Sequence, residues 1–455
     1  MVDAAENILE LIGNTPLVKS HRLAAHVKAN IYYKVEYLNP GASVKDRPAL
    51  QIIEDAEESG ELEAGGTIVE ATSGNTGMGL ALGAAIKGYK CIFVMPDKMS
   101  AEKIESLRAF GARVVVCPTA VEPDDPRSYY SVARRLAEET PGGFLANQYN
   151  NPSNPKGHYL TTGPEIWEQT GGEVDAVVIG AGTGGTVTGI GRYLKEQNPD
   201  VQIVAVDPIG SIYYDYFKTG KITEASTYLV EGFGEDIIPK TIDFDVIDEV
   251  VRVDDRECFL TTRRLVREEG IFTGGSAGGA VAGAIKYAER MDREMNIVVI
   301  LPDSASRYLS KIFNDDWMRE NGFLEEDLGE DSVADLLATK TKGLVYTAQL
   351  GDEVSEVIEA MKSHGISQLP VLDAGRVVGI VNETDVLDHL LGEGAGSDAI
   401  DELVETQFAI VEPTNRISII GQFFKQNKVV IVVDGKELAG IITKIDFIDY
   451  VSRQM

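Results

Sequence analysis

At 455 residues the chain exceeds one ordinary domain, so two or three domains are expected, and 44% hydrophobic residues with 46 glycines describe a globular protein rich in tight turns. A formal charge of −30 argues against nucleic acid and anionic membranes, both of which call for clustered Lys and Arg; it suits either a halophile's solvated surface or a device for solubility. No run approaches a transmembrane helix, Met1 to Glu6 lacks a signal peptide's pattern, and the scattered Cys91, Cys117 and Cys258 suit a reducing compartment, so a cytoplasmic protein is expected.

In chain order, Ile31 to Glu36 reads as a strand, Asn39 to Ala42 as a turn, and Pro48 to Glu57 as a helix. Between them lies Ser43-Val44-Lys45-Asp46-Arg47, with Ser43 as N-cap and Lys45 in the first turn. The positive end of a helix dipole disfavours an ammonium there, which suits an amine used as a neutral nucleophile. A solvated lysine beside Asp46 is the plainer reading. Thr67 to Ala71 is a strand that runs into Thr72-Ser73-Gly74-Asn75-Thr76-Gly77 and a helix from Met78 to Ile86; small polar groups at a helix N-terminus make a pocket for a carboxylate. An ordinary βα turn is the alternative.

Further apolar runs at 91–95, 113–116, 176–179, 202–206 and 297–301 alternate with helical stretches, as in a mainly parallel α/β sheet covered on both faces, in two lobes. Gly180 to Thr186 satisfies G-x-G-x-x-G, and the next strand ends in Asp207, so a dinucleotide fold competes with a monophosphate held by loop amides and the Thr183 and Thr186 hydroxyls. Thr273 to Gly279 opens another helix, where Ser276 is either a cap or a neutral partner for a ring nitrogen. The five histidines show no metal-ligand spacing, and no metal is expected.

Residues 323–340 read as an acidic linker between a core of 1–322 and a module of 341–455. The module contains a repeat with a period of about sixty residues, roughly 341–392 and 400–455. The repeats end in Gly379 to Asp385 and Gly440 to Asp446, where Thr443 and Asp446 share one face of a first helical turn. Simple capping is the plainer account of that pair.

Ser43 to Arg47, Thr72 to Gly77, Gly182 to Thr186 and Gly274 to Gly278, in this order, resemble the fold-type II pyridoxal-phosphate enzymes of the cysteine synthase/cystathionine β-synthase family from about Ile8 to Gly322. The repeat resembles a pair of CBS domains. The resemblance implies a two-lobed α/β catalytic core plus a tandem CBS module. It also implies a lyase in which Lys45 holds the cofactor as a Schiff base, Asn75 bonds its ring hydroxyl, Gly182, Thr183, Gly184, Gly185 and Thr186 hold its phosphate, and Ser276 faces its ring nitrogen. Thr72, Ser73, Gly74, Thr76 and Gln148 are then the substrate-carboxylate site.

Tyr149 and Glu231, where cysteine synthases typically have Phe and Gln, side with the cystathionine-forming members and are expected to be catalytic. The expected reaction is β-replacement of L-serine by L-homocysteine, with hydrogen sulfide release from cysteine as a secondary activity and O-acetylserine with sulfide as the alternative. The chain starts at the catalytic core and has no Cys-x-x-Cys, so haem is not expected. Glu235 stands where animal members tend to have tyrosine. Asn382 replaces a hydroxyl residue in the first repeat, which makes Thr443 with Asp446 the better adenosine-ligand site and Asp385 the weaker one. S-adenosylmethionine is the ligand favoured by net charge, and a homodimer or a tetramer the expected assembly.

Overall fold

The computed structural model describes residues 4–454 except 73, 98, 100, 119–120, 122–124, 325–330, 341–344, 393, 426–428 and 436. The chain forms two compact units, Met1–Phe323 and Leu324–Met455.

The first unit is built on two sheets. The strands are β1 Leu17–Lys19, β2 Asn30–Val35, β3 Thr67–Ala71, β4 Lys90–Pro96, β5 Arg113–Cys117, β6 Gly143–Leu145, β7 Ala176–Gly180, β8 Gln202–Pro208, β9 Glu249–Val253 and β10 Asn296–Leu301. One sheet runs β1-β2-β10-β7-β8-β9 and is parallel apart from the antiparallel edge strand β1; the other runs β5-β4-β3-β6 and is wholly parallel. All seven strands expected from apolar runs are present, and the central ones are buried along nearly their whole length, as a sheet clad by helices on both faces requires. The sheet order brings together loops that are distant in sequence. Parallel strands present their carboxyl ends on one side, and in such sheets ligands sit in the crevice there. The segments after β2, β7 and β10 in one sheet carry Lys45, Gly182–Thr186 and Asp303, and the segment after β3 in the other carries Thr72–Gly77.

The second unit repeats one motif. Strand β11 (Ala348–Gln349), helix Val354–His364, hairpin β12 (Gln368–Asp373) with β13 (Arg376–Asn382) and helix Glu383–Leu391 correspond to β14 (Phe408–Val411), helix Ser418–Lys425, β15 (Val429–Asp434) with β16 (Glu437–Ile442) and helix Lys444–Gln454. Both hairpins carry a register shift at the same place, Val371/Leu372 and Val432/Val433.

The expected linker is only partly a linker. Residues 333–339 form a helix whose Val333 and Leu336 are fully buried with Ala409, Ile417, Val430 and Ile442, so it completes the core of the second repeat. The acidic composition of that stretch concealed two apolar residues three apart on one helix face.

Candidate active site

Lys45 occupies the N-cap of helix Asp46–Ser59 rather than its first turn, because the helix begins two residues later than a Ser43 cap implies; Ser43 accepts from the Lys45 backbone N–H at 3.3 Å instead of capping. Two contacts hold this strap against the end of β10. Val44 donates to the Pro302 carbonyl at 2.7 Å, and Ser43 bridges to Asp303. Burial lowers the Lys45 amine below its ordinary range, and the charges of Asp303 and Glu235 oppose that only in part. Desolvation, rather than the helix dipole, is the main cause.

After β3, the buried Thr72 hydroxyl accepts from the N–H groups of Gly74 (3.0 Å) and Gly77 (3.3 Å), which leaves its own proton free to donate. Thr76 donates to Gln148 Oε1 at 2.6 Å, so the amide nitrogen of Gln148 is its outward donor, spending one proton on the Ala71 carbonyl at 3.3 Å. Ser73 lies outside the described residues. Behind Gln148, the buried Glu70 carboxylate accepts from the N–H groups of Asn147 (2.6 Å) and Gln148 (3.3 Å); burial nonetheless pushes it up to about 8. The Gln148 carbonyl and the Thr183 hydroxyl both accept from Asn154 Nδ2, at 2.8 and 3.0 Å, which ties the first glycine-rich loop to the second.

That second loop opens the 13-residue helix Gly185–Gln197, with Gly184 at φ 86° as its cap. Side chains are excluded here. A Cβ on Gly184 would strike Ile242, one on Gly185 would strike Asn154, and one on Gly182 would lie 2.9 Å from the Gly232 carbonyl. Thr186 meets His158 Nε2 at 3.2 Å, while the other ring nitrogen meets Thr162 at 2.9 Å; burial holds this fully enclosed imidazole well below its usual range, so it stays neutral and structural. Asp207 is fully buried, with burial raising its carboxyl to about 6, and it accepts from the Tyr214 N–H at 2.9 Å. It is not offered to a ribose, which removes the main support for a dinucleotide.

Ser276 is 2% exposed and sits under Gly232, whose missing Cβ would lie 3.4 Å from the serine Oγ. Asn75 is fixed at both ends of its amide: its nitrogen donates to Asp303 at 2.8 Å and its oxygen accepts from Arg307. Asp303 also accepts from the Tyr308 hydroxyl at 2.6 Å.

Glu231 is paired twice. Its carboxylate is held by Lys103 and, at 2.7 Å, by Lys311, and although burial alone would raise it these two ammoniums keep it below its usual range. A carboxylate so paired joins separate segments of the chain. Lys103 lies 4.9 Å from the centre of the Tyr308 ring and against Gly74, joining the first loop to the segment after β10. Tyr149 packs edge-on against Tyr130 with ring centroids 5.5 Å apart, beside a cavity of about 360 Å³ lined in part by Glu70, Arg134 and Ile237. Burial raises its hydroxyl well above the usual phenol range, so it is a neutral donor.

In the second unit, Asp446 accepts from the Thr443 hydroxyl (2.6 Å), the Thr443 N–H (2.8 Å) and Lys340 Nζ (2.7 Å). Lys340 was not singled out from the sequence. In the first repeat Asp385 accepts from Asn382 Nδ2 at 3.0 Å.

A half-buried lysine whose amine is held below its ordinary range, with glycine-rich loops after β3 and β7 and a third opening the helix Gly275–Glu289, has the make-up of a pyridoxal-phosphate site. Residues 8–303 match the family model described as pyridoxal-phosphate dependent enzyme, and residues 341–392 match the CBS domain. The chain belongs to the pyridoxal-phosphate dependent enzyme family. Its relatives include the cystathionine beta-synthases of Oryctolagus cuniculus, 40% identical over 98% of this chain and 85% of that one, and Dictyostelium discoideum, 38% identical over 98% and 92%. That of Saccharomyces cerevisiae is 36% identical over 99% of this chain and 98% of that one. Among solved structures, a hydrogen sulfide-producing enzyme from Fusobacterium nucleatum is 36% identical with a TM-score of 0.63, covering 67% of this chain and 100% of that one. O-ureido-L-serine synthase is 38% identical with a TM-score of 0.64, covering 74% and 100%. The residues present fit the cofactor: the Gly182–Gly185 cradle has no room for side chains, opens a helix and carries two hydroxyls, as a phosphate monoester requires.

Proposed function

We propose that this chain condenses L-serine with L-homocysteine to give L-cystathionine and water, with hydrogen sulfide release from cysteine as a secondary activity. The observation that carries this reading is the buried Lys45 amine, whose depressed pKa makes it usable as both base and acid. Pyridoxal 5′-phosphate, when bound on Lys45, supplies the electron sink that lets an amino acid lose its α-proton and its β-substituent. Gly182, Thr183, Gly184, Gly185 and Thr186 hold the phosphate, and Asn75, its amide fixed by Asp303 and Arg307, presents itself to the ring hydroxyl. Ser276 meets the ring nitrogen with a hydroxyl rather than a carboxylate and so leaves it uncharged.

Thr72 through its O–H, Thr76 through its backbone amide and Gln148 through its amide nitrogen bind the substrate carboxylate; Ser73 and Gly74 belong to the same loop, where the Gly74 N–H holds the Thr72 hydroxyl in place. The Lys45 amine takes the α-proton of serine and returns a proton to the departing hydroxyl oxygen, so water leaves. Tyr149 donates from its neutral phenol. The clasp of Lys103, Lys311 and Glu231 closes the site against water.

The substrate reading is tested with the cofactor-loaded full chain by comparing kcat/KM for L-serine plus L-homocysteine with that for O-acetylserine plus sulfide. The first pair is expected to be at least about tenfold better, a margin of roughly 1.4 kcal/mol. A reverse preference of that size would make the enzyme a cysteine synthase. A homodimer is the proposed assembly and the cytoplasm the proposed location; no helix among the described residues is long and apolar enough to cross a membrane.

For the second unit we propose an adenosine-type ligand whose ribose diol is taken by Asp446, with Thr443 beside it and Asp385 as a weaker counterpart. Net charge favours S-adenosylmethionine. The Lys340 ammonium, 2.7 Å from Asp446, favours a phosphate tail, and a contact at that range outweighs distant charges screened over about 8 Å. AMP or ATP is therefore placed ahead of S-adenosylmethionine. Calorimetry on the full chain is expected to show nucleotide binding that weakens at least about tenfold in Asp446→Ala, the loss of one strong charge-assisted bond. Absence of heat with all three compounds would leave the unit a structural module.

A further inference from the structure

Arg307 was not singled out from the sequence, yet its guanidinium holds two of the segments that build the site. It ends the short turn Ala305–Arg307 that follows β10. One of its nitrogens donates to Asn75 Oδ1 in the first glycine-rich loop, and another donates to the Gly41 carbonyl on the strap that leads to Lys45. Gly41 is held from its other side as well: its N–H donates to Asp46 Oδ2 at 2.5 Å, and a Cβ here would strike that carboxyl. A planar guanidinium presents its donors in a rigid fork, so the spacing between Asn75 and the Lys45 strap is set by one group.

The other end of the Asn75 amide donates to Asp303 Oδ2 at 2.8 Å. Asp303 is only 1% exposed and is itself pinned: the same oxygen accepts from the Tyr308 hydroxyl at 2.6 Å, and the Asp303 carbonyl accepts from the Gly274 N–H at 3.0 Å and the Thr273 hydroxyl at 2.8 Å. An ionised carboxylate only accepts and a guanidinium only donates, so a flipped amide would face acceptor with acceptor and donor with donor. The amide nitrogen carries two protons. One is spent on Asp303, which leaves the second for an acceptor outside the network. An N–H aimed at an oxygen that can be either O–H or O⁻ favours the anion. In pyridoxal phosphate the ring hydroxyl and the carbon that a lysine takes stand on neighbouring ring positions, and Asn75 and Lys45 are the residues assigned to them.

We propose that Arg307 is a positioning residue that keeps the cofactor's ring oxygen anionic, by locking the Asn75 amide with an N–H outward and fixing the Lys45 strap beside it. The assignment rests on the reading of Asn75 as the partner of the ring hydroxyl. Arg307 acts through Asn75 and Gly41 and moves no proton in the reaction.

The test uses the cofactor-loaded full chain without substrate. The anionic ring oxygen absorbs at the visible edge and the neutral hydroxyl in the near ultraviolet, so the ratio of the two bands reads the proton. The visible-edge band is expected to dominate in wild type. Arg307→Met, which keeps length and removes every donor, is expected to raise the near-ultraviolet share at least about threefold, the size of one lost hydrogen bond, at unchanged cofactor content. Arg307→Lys keeps the charge but cannot span both acceptors, and should move the ratio the same way by less. If Arg307→Met fails to fold or to load, Arg307→Lys carries the test alone. In an Asn75→Ala background the Arg307 variants should add little, because both residues act along one path. A ratio that moves in neither variant, or that moves as far without Asn75 as with it, would overturn the role of Arg307 and leave Asn75 in place. Asn75→Ala with the wild-type ratio would overturn the reading of Asn75 and this assignment together.

Discussion

Lys45→Ala is expected to abolish β-replacement, with a fall in kcat of about a thousandfold or more, because one side chain is asked to anchor the cofactor, take a proton and give it back. No neighbouring amine can deputise. Lys103 and Lys311 are both committed to Glu231, and Lys34 is fully buried against Glu165. Lys45→Arg should fail as completely, since a guanidinium cannot shed its proton at working pH, whereas the burial that depresses the Lys45 amine keeps a neutral fraction available. The absorption spectrum of cofactor-loaded protein provides a second readout: the visible-edge band that reports the covalent link should be missing in Lys45→Ala. An unchanged band, or a kcat within tenfold of wild type, would remove Lys45 from both roles.

The second large effect lies two residues further on. Arg47 is enclosed with Glu36, Glu165, Lys34 and Thr15 beneath the helix that Lys45 caps. Its guanidinium donates to both Glu36 oxygens at 2.8 Å and to the two Glu165 oxygens at 2.6 and 2.8 Å, while Lys34 reaches Glu165 at 2.6 Å. Arg47→Met leaves two buried carboxylates short of a cation and is expected to cost about 3–5 kcal/mol, read as a fall in denaturant midpoint at unchanged slope. Much of that loss is the penalty of unpaired charge, so Glu36→Gln added to Arg47→Met should recover part of it.

The pH dependence has a definite sign. Burial alone would raise the Glu165 carboxyl, but Arg47 and Lys34 bring it down to about 2 from an ordinary 4.5. A depressed carboxyl contributes stability that is fully present above its unfolded pKa and lost as pH falls from about 4.5 through 2. Wild-type protein should therefore lose stability across that window, and Arg47→Met should lose less. A variant that melts within about 1 kcal/mol of wild type would mean that water already reaches the cluster.

The sequence disclosed what is local. Lys45, the three glycine-rich loops and seven strands were legible because turn chemistry, helix starts and apolar runs each occupy a short window. Strands β1 and β6 are three residues long, too short to show a period, and in β9, on a sheet edge, Glu249 and Arg252 interrupt the valines three residues apart, with no period of two. The devices around the loops escaped for a different reason. Arg47 meets Glu36 and Glu165, the three standing on separate elements, Lys103 meets Glu231 across 128 residues, and Asn75 meets Arg307 across 232. Charged residues in such pairs look like ordinary surface until the fold encloses them. For Lys45 the expected cause was the helix dipole, whereas burial leads its shift.

The helix at 333–339 precedes the first repeat in sequence yet completes the core of the second, with Tyr450 reaching back to Asp331 at 2.5 Å. The two repeats are thus entangled in chain order. Gene fusion or exon exchange that transplanted only 341–455 would carry one intact fold and one missing a wall, whereas a cut ahead of Asp331 would move both. The piece of this tail that can be moved with both folds intact is therefore longer at its front edge than the repeat itself.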